Sequence, residues 1–311
     1  MQLRVYNNLT MSSQHLAGPA NPNSRQRPPS RRPRGINPWV PNQHGAWAML
    51  IAPLLVGTVI ALVYEGPSEI EHRSAIPAIA VAWIVGYFSF FAFGLWSKAR
   101  AASRKAEYAK PMIAYGICAA LAGVVALVFY PGLAWWALAF TPLVAVAVAE
   151  IFRRRPRSLS SGIATTLASS MMLLVMVSTG EFPPLPWFFF NVPAEIWVLW
   201  LATALYYVGT IFYVKTMIRE KGNAPFESLS RKYHLVALLL TALATLAAYI
   251  GDGQNLAGAL LLITVMAGAW WRSMAIPAQA RLNPTSWSPK KVGLWEVPLV
   301  MALIAAGVAV I

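Results

Sequence analysis

The chain contains 311 residues, of which 58% are hydrophobic and only 12% are charged, and its mean hydropathy is +0.54. Soluble domains carry about 25% charged residues, so this chain has too few charges to cover the surface of a soluble globule. The composition therefore argues against a soluble enzyme or a disordered chain. The single cysteine, Cys118, argues against a disulfide framework and a Cys-based zinc site.

The formal net charge is nevertheless +14. Such an excess indicates a nucleic-acid partner, a membrane surface or a topology signal, depending on where the basic residues lie.

The first 37 residues are rich in Pro, Ser, Asn and Arg, with no apolar run before Trp39. This composition predicts a disordered tail over residues 1–37 and not a signal peptide. Its arginines would suit anionic lipid or RNA. We favour a solvated basic anchor on the cytoplasmic side and expect no nucleic-acid partner. Both Met1 and Met11 suit the start of translation.

Nine apolar runs follow the tail, each long enough to cross about 30 Å of hydrocarbon, which takes roughly 17–25 residues. They are apolar nearly all round, and lipid offers backbone groups no hydrogen-bond partners, so they must be helical. The sequence therefore predicts an all-α polytopic membrane domain over residues 38–311. The predicted spans are 47–64, 75–97, 112–130, 132–150, 160–179, 195–214, 234–250, 255–273 and 293–311.

Basic residues concentrate in every second loop between these spans. The tail and every second loop carry 24 of the 25 Lys and Arg residues, and only Arg73 falls on the other side. By the positive-inside rule the N-terminus is cytoplasmic and the C-terminus is outside, in a bacterial plasma membrane. Arg272 counts here as a loop residue, so no ionisable group is expected near the centre of a span. That expectation and the odd number of spans argue against an ion-coupled transporter.

Three polar segments lie at the predicted cytoplasmic ends of spans. The first, just before span one, contains Asn42, Gln43 and His44. His44 suits ligand binding or proton transfer, and the alternative is a hydrogen-bonded interfacial anchor.

The second segment follows span two and contains Lys98, Arg100, Arg104 and Tyr108. On a continuing helix Arg100 and Arg104 would share a face and repel each other, and an anionic partner would relieve this repulsion. The alternative is a topology signal that contacts lipid headgroups.

The third segment ends span six and contains Tyr213, Lys215, Arg219 and Glu220. A polar stripe also climbs this helix and is expected to face the bundle interior, against a cavity or a neighbouring helix. Small residues in span five, such as Ser161, Ser169 and Ser170, predict close helix packing. The stripe comprises Thr203, Tyr206, Thr210, Tyr213, Thr216 and Glu220.

These segments resemble the YwiC-like family of bacterial membrane proteins over about residues 38–311. The matching motifs are Trp39 to Met49 (WVPNQHGAWAM), Lys98-Ala99-Arg100 with Tyr108 and Pro111, and Tyr213 to Thr216 (YVKT) with Ile218-Arg219-Glu220. This resemblance implies no activity.

A second and more distant resemblance concerns the fold. Nine helices with polar motifs at the inner ends of helices two and six are similar to the UbiA prenyltransferase superfamily. In that superfamily these places carry Asp-rich motifs that hold Mg²⁺ on a prenyl diphosphate. Here they carry Lys98, Arg100 and Arg104, then Lys215, Arg219 and Glu220. The one aspartate, Asp252, falls on the outer side. Mg²⁺ prefers carboxylate oxygens, so we expect no cofactor and no Mg²⁺.

The sequence thus leaves three functions open. The first is a pocket at the cytoplasmic side for an amphiphilic, lipid- or isoprenoid-like anion, with a membrane lipid as partner. In a metal-independent lipid-modifying enzyme, His44 and Glu220 would be the candidates for proton transfer. The second is a transporter of small organic anions or lipids, and the third is a non-catalytic subunit of a larger complex. The sequence does not separate catalysis from binding.

Overall fold

The computed structural model describes residues 36–41, 44–65, 72–252, 255–283 and 286–310, without the side chains of His44 and Asp252. The predicted tail therefore lies almost wholly outside the described residues. Residues 37–311 form one compact unit, and the account below concerns this unit.

The described part of the chain is helical, contains no strand, and has nine helices long and apolar enough to cross a membrane. The predicted all-α polytopic class is confirmed. Two of the helices are short, α6 and α10, and α10 continues into α11 as one span. The helices are α1 His44–Val63, α2 Ile76–Trp96, α3 Ala102–Phe129, α4 Trp136–Phe152, α5 Leu159–Val177, α6 Phe188–Asn191, α7 Ala194–Ile218, α8 Ala224–Asp252, α9 Leu256–Leu282, α10 Pro289–Leu294 and α11 Val297–Ala309.

Several helices continue past their predicted spans at the end of the bundle that carries most basic residues, which we call the basic end. α3 begins at Ala102, not near 112, and α8 begins at Ala224, not near 234. A helix satisfies its own backbone hydrogen bonds and so continues into water, whereas an apolar run marks only the part in hydrocarbon.

α9 gives the most consequential difference. The predicted span ended at residue 273, but the helix runs on to Leu282. Arg272 therefore lies inside a membrane-spanning helix, and its assignment to a loop was wrong.

Five helices surround the interior of the bundle. α1 packs on α5, α5 on α7, α7 on α9, α9 on α11, and α11 on α1, which closes a ring. α8 packs outside α7 and α9, while α2 pairs mainly with α3, and α4 with α5. In their most apolar segments, 72% of the residues of α7 and 67% of those of α5 are buried, whereas only 6% of those of α3 are buried. Side chains on α5 and α7 are thus the ones placed to build an internal site.

Small residues bring α1 and α5 close together, as predicted for span five. Ser169 donates a hydrogen bond from its hydroxyl to the carbonyl of Met49. A Cβ at Gly57 would collide with the backbone of Leu173 and lie 2.8 Å from Met176 Cβ. Close approach of this kind drives helix association in lipid, where the hydrophobic effect between helices is absent.

At the opposite end of the bundle, Arg73 links the end of α1 to the segment after α5. Its Nε donates to the carbonyl of Ala61 at 2.8 Å, and its Nη2 lies 3.3 Å from Glu181 Oε1. The aromatic segment after Glu181, expected at the surface or re-entrant, sends Phe182 and Phe188 into the core and leaves Phe190 exposed. This end is therefore closed by packed aromatic side chains.

Candidate functional site

The loop between α4 and α5 brings basic residues of two elements together at the basic end. Lys215 Nζ donates to the carbonyl oxygen of Arg157 at 3.3 Å, and Arg219 Nη1 donates to the same oxygen at 3.0 Å. Lys215 lies in the last turn of α7 and Arg219 is its C-terminal cap, so their spacing of four puts both on one side of the helix.

Lys98, which follows α2, lies close enough to Arg157 for their charges to interact. Burial lowers the pKa of the Lys98 ammonium, and the charge of Arg157 lowers this pKa further. Burial and then Arg157 also lower the pKa of Arg219. We call Lys98, Arg157, Lys215 and Arg219 the basic cluster.

α5 adds to the positive potential of this cluster. Its N-cap, Ser158, directly follows Arg157 and accepts a hydrogen bond from the backbone N–H of Ser161. The N-terminus of a helix carries about half a positive charge. The basic cluster and the helix end therefore favour an anion at the same place.

No carboxylate of the described residues at this end pairs with the basic cluster. Glu150 pairs with Arg153 and Arg155, Glu227 pairs with Arg281, and Glu296 pairs with Arg272. Glu220 accepts a hydrogen bond from Asn223, and Glu107 is exposed on α3. Four cations are thus held together without a protein counter-charge in the described part of the chain.

Not every predicted site residue joins the cluster. Arg100 and Arg104 are exposed and form no hydrogen bond or ion pair with described residues, and Tyr108 is buried on α3. α2 and α7 do not pack along their lengths, and the α4–α5 loop carries Arg157, whose charge acts on residues at the ends of both helices. Asn42 and Gln43 lie outside the described residues, as does the side chain of His44.

Arg157 was missed by the sequence analysis. It follows Arg153, Arg154 and Arg155, and the group was interpreted as a topology signal. The proline at position 156 and the serine cap at 158 mark a helix start, but no sequence signal shows that the Arg157 carbonyl contacts α7.

A second group of polar side chains lies inside the ring. Arg272 on α9 is only 1% exposed, and its Nη1 lies 2.5 Å from Glu296 Oε2. The same carboxylate oxygen accepts hydrogen bonds from the hydroxyls of Tyr206 and Thr210, both at 3.1 Å. Arg272 lies well inside α9, so the expectation that no ionisable group lies near the centre of a span is wrong for this helix. We call Tyr206, Thr210, Tyr213, Arg272 and Glu296 the buried polar cluster.

Tyr213, predicted as a ligand residue beside Lys215, belongs to this buried group instead. It is fully buried, and the Arg272 Cζ lies 4.3 Å from the centre of its ring. Thr203, Tyr206, Thr210 and Thr216 are also buried, so the inward orientation predicted for these members of the α7 stripe is confirmed. The signal that was missed is an Arg and a Glu, each set within an apolar run.

In the described part of the chain, no three His, Cys, Asp or Glu side chains gather as a metal site would require. The expectation that Mg²⁺ is not bound stays a prediction. A small cleft inside the ring is lined by Val56, Leu173, Thr203, Tyr207 and other mainly apolar residues, and none of them is charged.

Comparison with known proteins bears on the family. Residues 40–177, which span α1 to α5, match the model of the family described as YwiC-like protein. The chain is 28% identical over 264 residues to "Uncharacterized protein YwiC" of Bacillus subtilis, covering 83% of this chain and 92% of that protein.

The predicted resemblance to the YwiC-like family is confirmed. An "Uncharacterized protein" of Haemophilus influenzae is 23% identical over 203 residues, 65% of this chain and 76% of the relative. No solved structure matches the chain. The match to the YwiC-like model ends before α7, so both clusters extend beyond the matched segment.

Proposed function

We propose that this multi-pass protein of the bacterial plasma membrane binds an amphiphilic anion, with its headgroup at the basic cluster on the cytoplasmic side. The observation that carries the proposal is that Lys215 and Arg219 both donate to the backbone carbonyl of Arg157. The charge of Arg157 also acts on Lys98 and Arg219, and no described carboxylate pairs with these cations. Like charges held together repel each other, and a phosphate or carboxylate headgroup would relieve this repulsion through charge-assisted hydrogen bonds.

Two further observations support a headgroup at this place. Lys98 and Arg219 are exposed side chains, but partial burial lowers the pKa of both, and a cation partly removed from water attracts an anion more strongly. The basic cluster also lies where the spans end, so a bound lipid could keep its chains in hydrocarbon.

A transporter of small organic anions is the second candidate function. The buried pair of Arg272 and Glu296 favours it, because ionisable groups inside a span are the usual mark of a substrate path. The two functions differ in one respect, since a transporter needs a polar path that continues beyond the buried polar cluster.

The test is native mass spectrometry of gently extracted protein, with the bound lipid identified. Wild-type protein should retain an anionic lipid, and Lys215→Ala and Arg219→Ala should each reduce its occupancy roughly tenfold, because a hydrogen bond to a charged group contributes about 1.5–3 kcal/mol.

Arg231→Ala is the matched control. Arg231 is an exposed residue of α8 near the same end, outside the basic cluster, and its loss changes the net charge equally. An equal loss of lipid in Arg231→Ala would show that lipid binding depends on general surface charge and not on the basic cluster. A wild-type protein free of bound anion would contradict the proposal.

A further inference from the structure

Arg272 uses only part of its hydrogen-bonding capacity. Its Nη1 contacts Glu296 Oε2 at 2.5 Å and the Tyr206 hydroxyl at 3.4 Å. Its Nε and Nη2 are buried and have no hydrogen-bond partner among the residues that the structure describes. A buried donor left unpaired costs about 1–3 kcal/mol, and more when the group is charged.

The two unpaired donors are neighbours on one edge of the planar guanidinium. Nε–H and Nη2–H point the same way, and this fork matches two oxygens of one carboxylate or phosphate group. The opposite side of the guanidinium faces Glu296, so the internal ion pair leaves the fork open. A lysine at this position could neutralise Glu296 but could not offer such a fork.

Two other groups of the buried polar cluster lack a hydrogen-bond partner among the described residues. They are the hydroxyl of Tyr213 and the Oε1 atom of Glu296. Glu296 Oε2 already accepts from Arg272, Tyr206 and Thr210, so this oxygen makes its contacts without the open edge of Arg272. The unpaired groups of this cluster thus lie on Arg272 and on two residues in contact with it.

The buried polar cluster lies deeper than the basic cluster. Arg272 is about ten residues before the end of α9 at Leu282, which at 1.5 Å per residue is roughly 15 Å. On α7, Tyr213 precedes Arg219 by about six residues, or roughly 9 Å. A headgroup at the basic cluster therefore does not occupy the edge of Arg272.

We propose that Arg272 forms a second anion site inside the ring, where its Nε and Nη2 bind the two oxygens of a carboxylate or phosphate group. Tyr213 contributes its hydroxyl as a third donor. The site stands independently of the basic cluster, because its donors lie on different residues and at a different depth.

The test uses the full chain in nanodiscs made only of phosphatidylcholine, with unfolding followed by tryptophan fluorescence. The probes are decanoate for the carboxylate, decyl phosphate for the phosphate, and decanol as the uncharged control. At least one anion should raise the Tm by roughly 5 °C at a concentration about 100 times its Kd, and decanol should not. The anion that acts identifies the headgroup class.

Arg272→Lys should weaken the binding of this anion roughly tenfold or more, because the ion pair to Glu296 is kept and the fork is lost. The comparison is repeated in a Lys215→Ala background, which weakens the basic cluster equally in both proteins, and the loss caused by Arg272→Lys should persist there. The proposal is overturned by an equal shift with decanol, by no shift with either anion, or by a shift that survives Arg272→Lys in the Lys215→Ala background.

A second pair of variants keeps the test informative if Arg272→Lys fails to fold. Tyr213→Phe should weaken anion binding, whereas Tyr207→Phe should not. Tyr207 is an equally buried tyrosine of α7 whose hydroxyl also lacks a partner in the described part of the chain, but no contact joins it to Arg272 there. Equal effects of the two changes would contradict the proposal.

Discussion

Basic residues of this chain act differently according to what each one contacts. Arg281 pairs with Glu227 and Arg73 with Glu181, whereas Lys215 and Arg219 meet only a backbone carbonyl. Their spacing of four was visible in the sequence and correctly suggested a shared helix side. The contact with Arg157 was not visible, because it depends on how the α4–α5 loop folds back onto α7.

Counting the charges of each loop did not reveal the buried position of Arg272. Assigned to a loop, it satisfied the positive-inside rule and needed no other explanation. Its partner Glu296 lies at the junction of α10 and α11. Local hydropathy does not indicate which side chains pair across the ring. Burying the pair is tolerated because Tyr206 and Thr210 supply further hydrogen bonds, without which the desolvation of two charges would exceed their attraction.

His72 provides a pH-dependent prediction at the residue scale. Its ring stacks on Tyr130 with centroids 4.2 Å apart, and burial lowers its pKa below the usual 6.5. As the pH falls through 6.5 the unfolded chain takes up a proton before the folded protein does, so stability falls in this window. Below the folded pKa both states are protonated and this contribution no longer changes.

We therefore expect the Tm to decrease between pH 7.5 and pH 5.5 more in wild-type protein than in His72→Phe. The phenylalanine ring can keep the stack on Tyr130 but cannot be protonated. Thermal unfolding in one detergent across this pH range measures the difference, and parallel curves for the two proteins would contradict the assignment.

At the scale of helices, the length of the apolar runs predicted all nine spans, and the disagreements lie mainly at the basic end. α3, α7, α8 and α9 all extend beyond their predicted spans there. Hydropathy reports contact with lipid and not helicity, so these extensions were not predictable from it. They matter for function because Lys98 precedes α3, and Lys215 and Arg219 end α7.

The contact between α1 and α5 gives a prediction at this scale. Gly57→Ala places a Cβ against the backbone of Leu173 and against Met176, so the two helices must separate. Overpacking of this kind costs about 1–3 kcal/mol, and the Tm should fall. A stability equal to wild type would show that α1 does not approach α5 this closely.

Gly123→Ala is the control for this change. Gly123 lies within α3, and a Cβ there meets nothing within 4 Å. Because alanine favours a helix over glycine by up to about 1 kcal/mol, the Tm should stay constant or rise. Comparing the two variants by thermal unfolding separates crowding from helix propensity.

At the scale of the whole molecule, charge asymmetry is the property that links the sequence to the proposed function. Nearly all basic residues that the structure describes lie at one end, and within that end most carboxylates are already engaged by Arg153, Arg155, Arg272 and Arg281. The charges that orient a chain in the membrane and the charges of the proposed ligand site can therefore be told apart by their partners. The proposed site requires the cytoplasmic orientation that the positive-inside rule predicts.

Cysteine labelling in intact cells tests this orientation. In a Cys118→Ala background, Ser103→Cys lies at the exposed start of α3 at the basic end, and Ser74→Cys lies in the exposed turn before α2 at the other end. A membrane-impermeant maleimide should label Ser74→Cys in intact cells and Ser103→Cys only after lysis. The reverse pattern would place the basic cluster outside the cell, where a cytoplasmic ligand could not reach it.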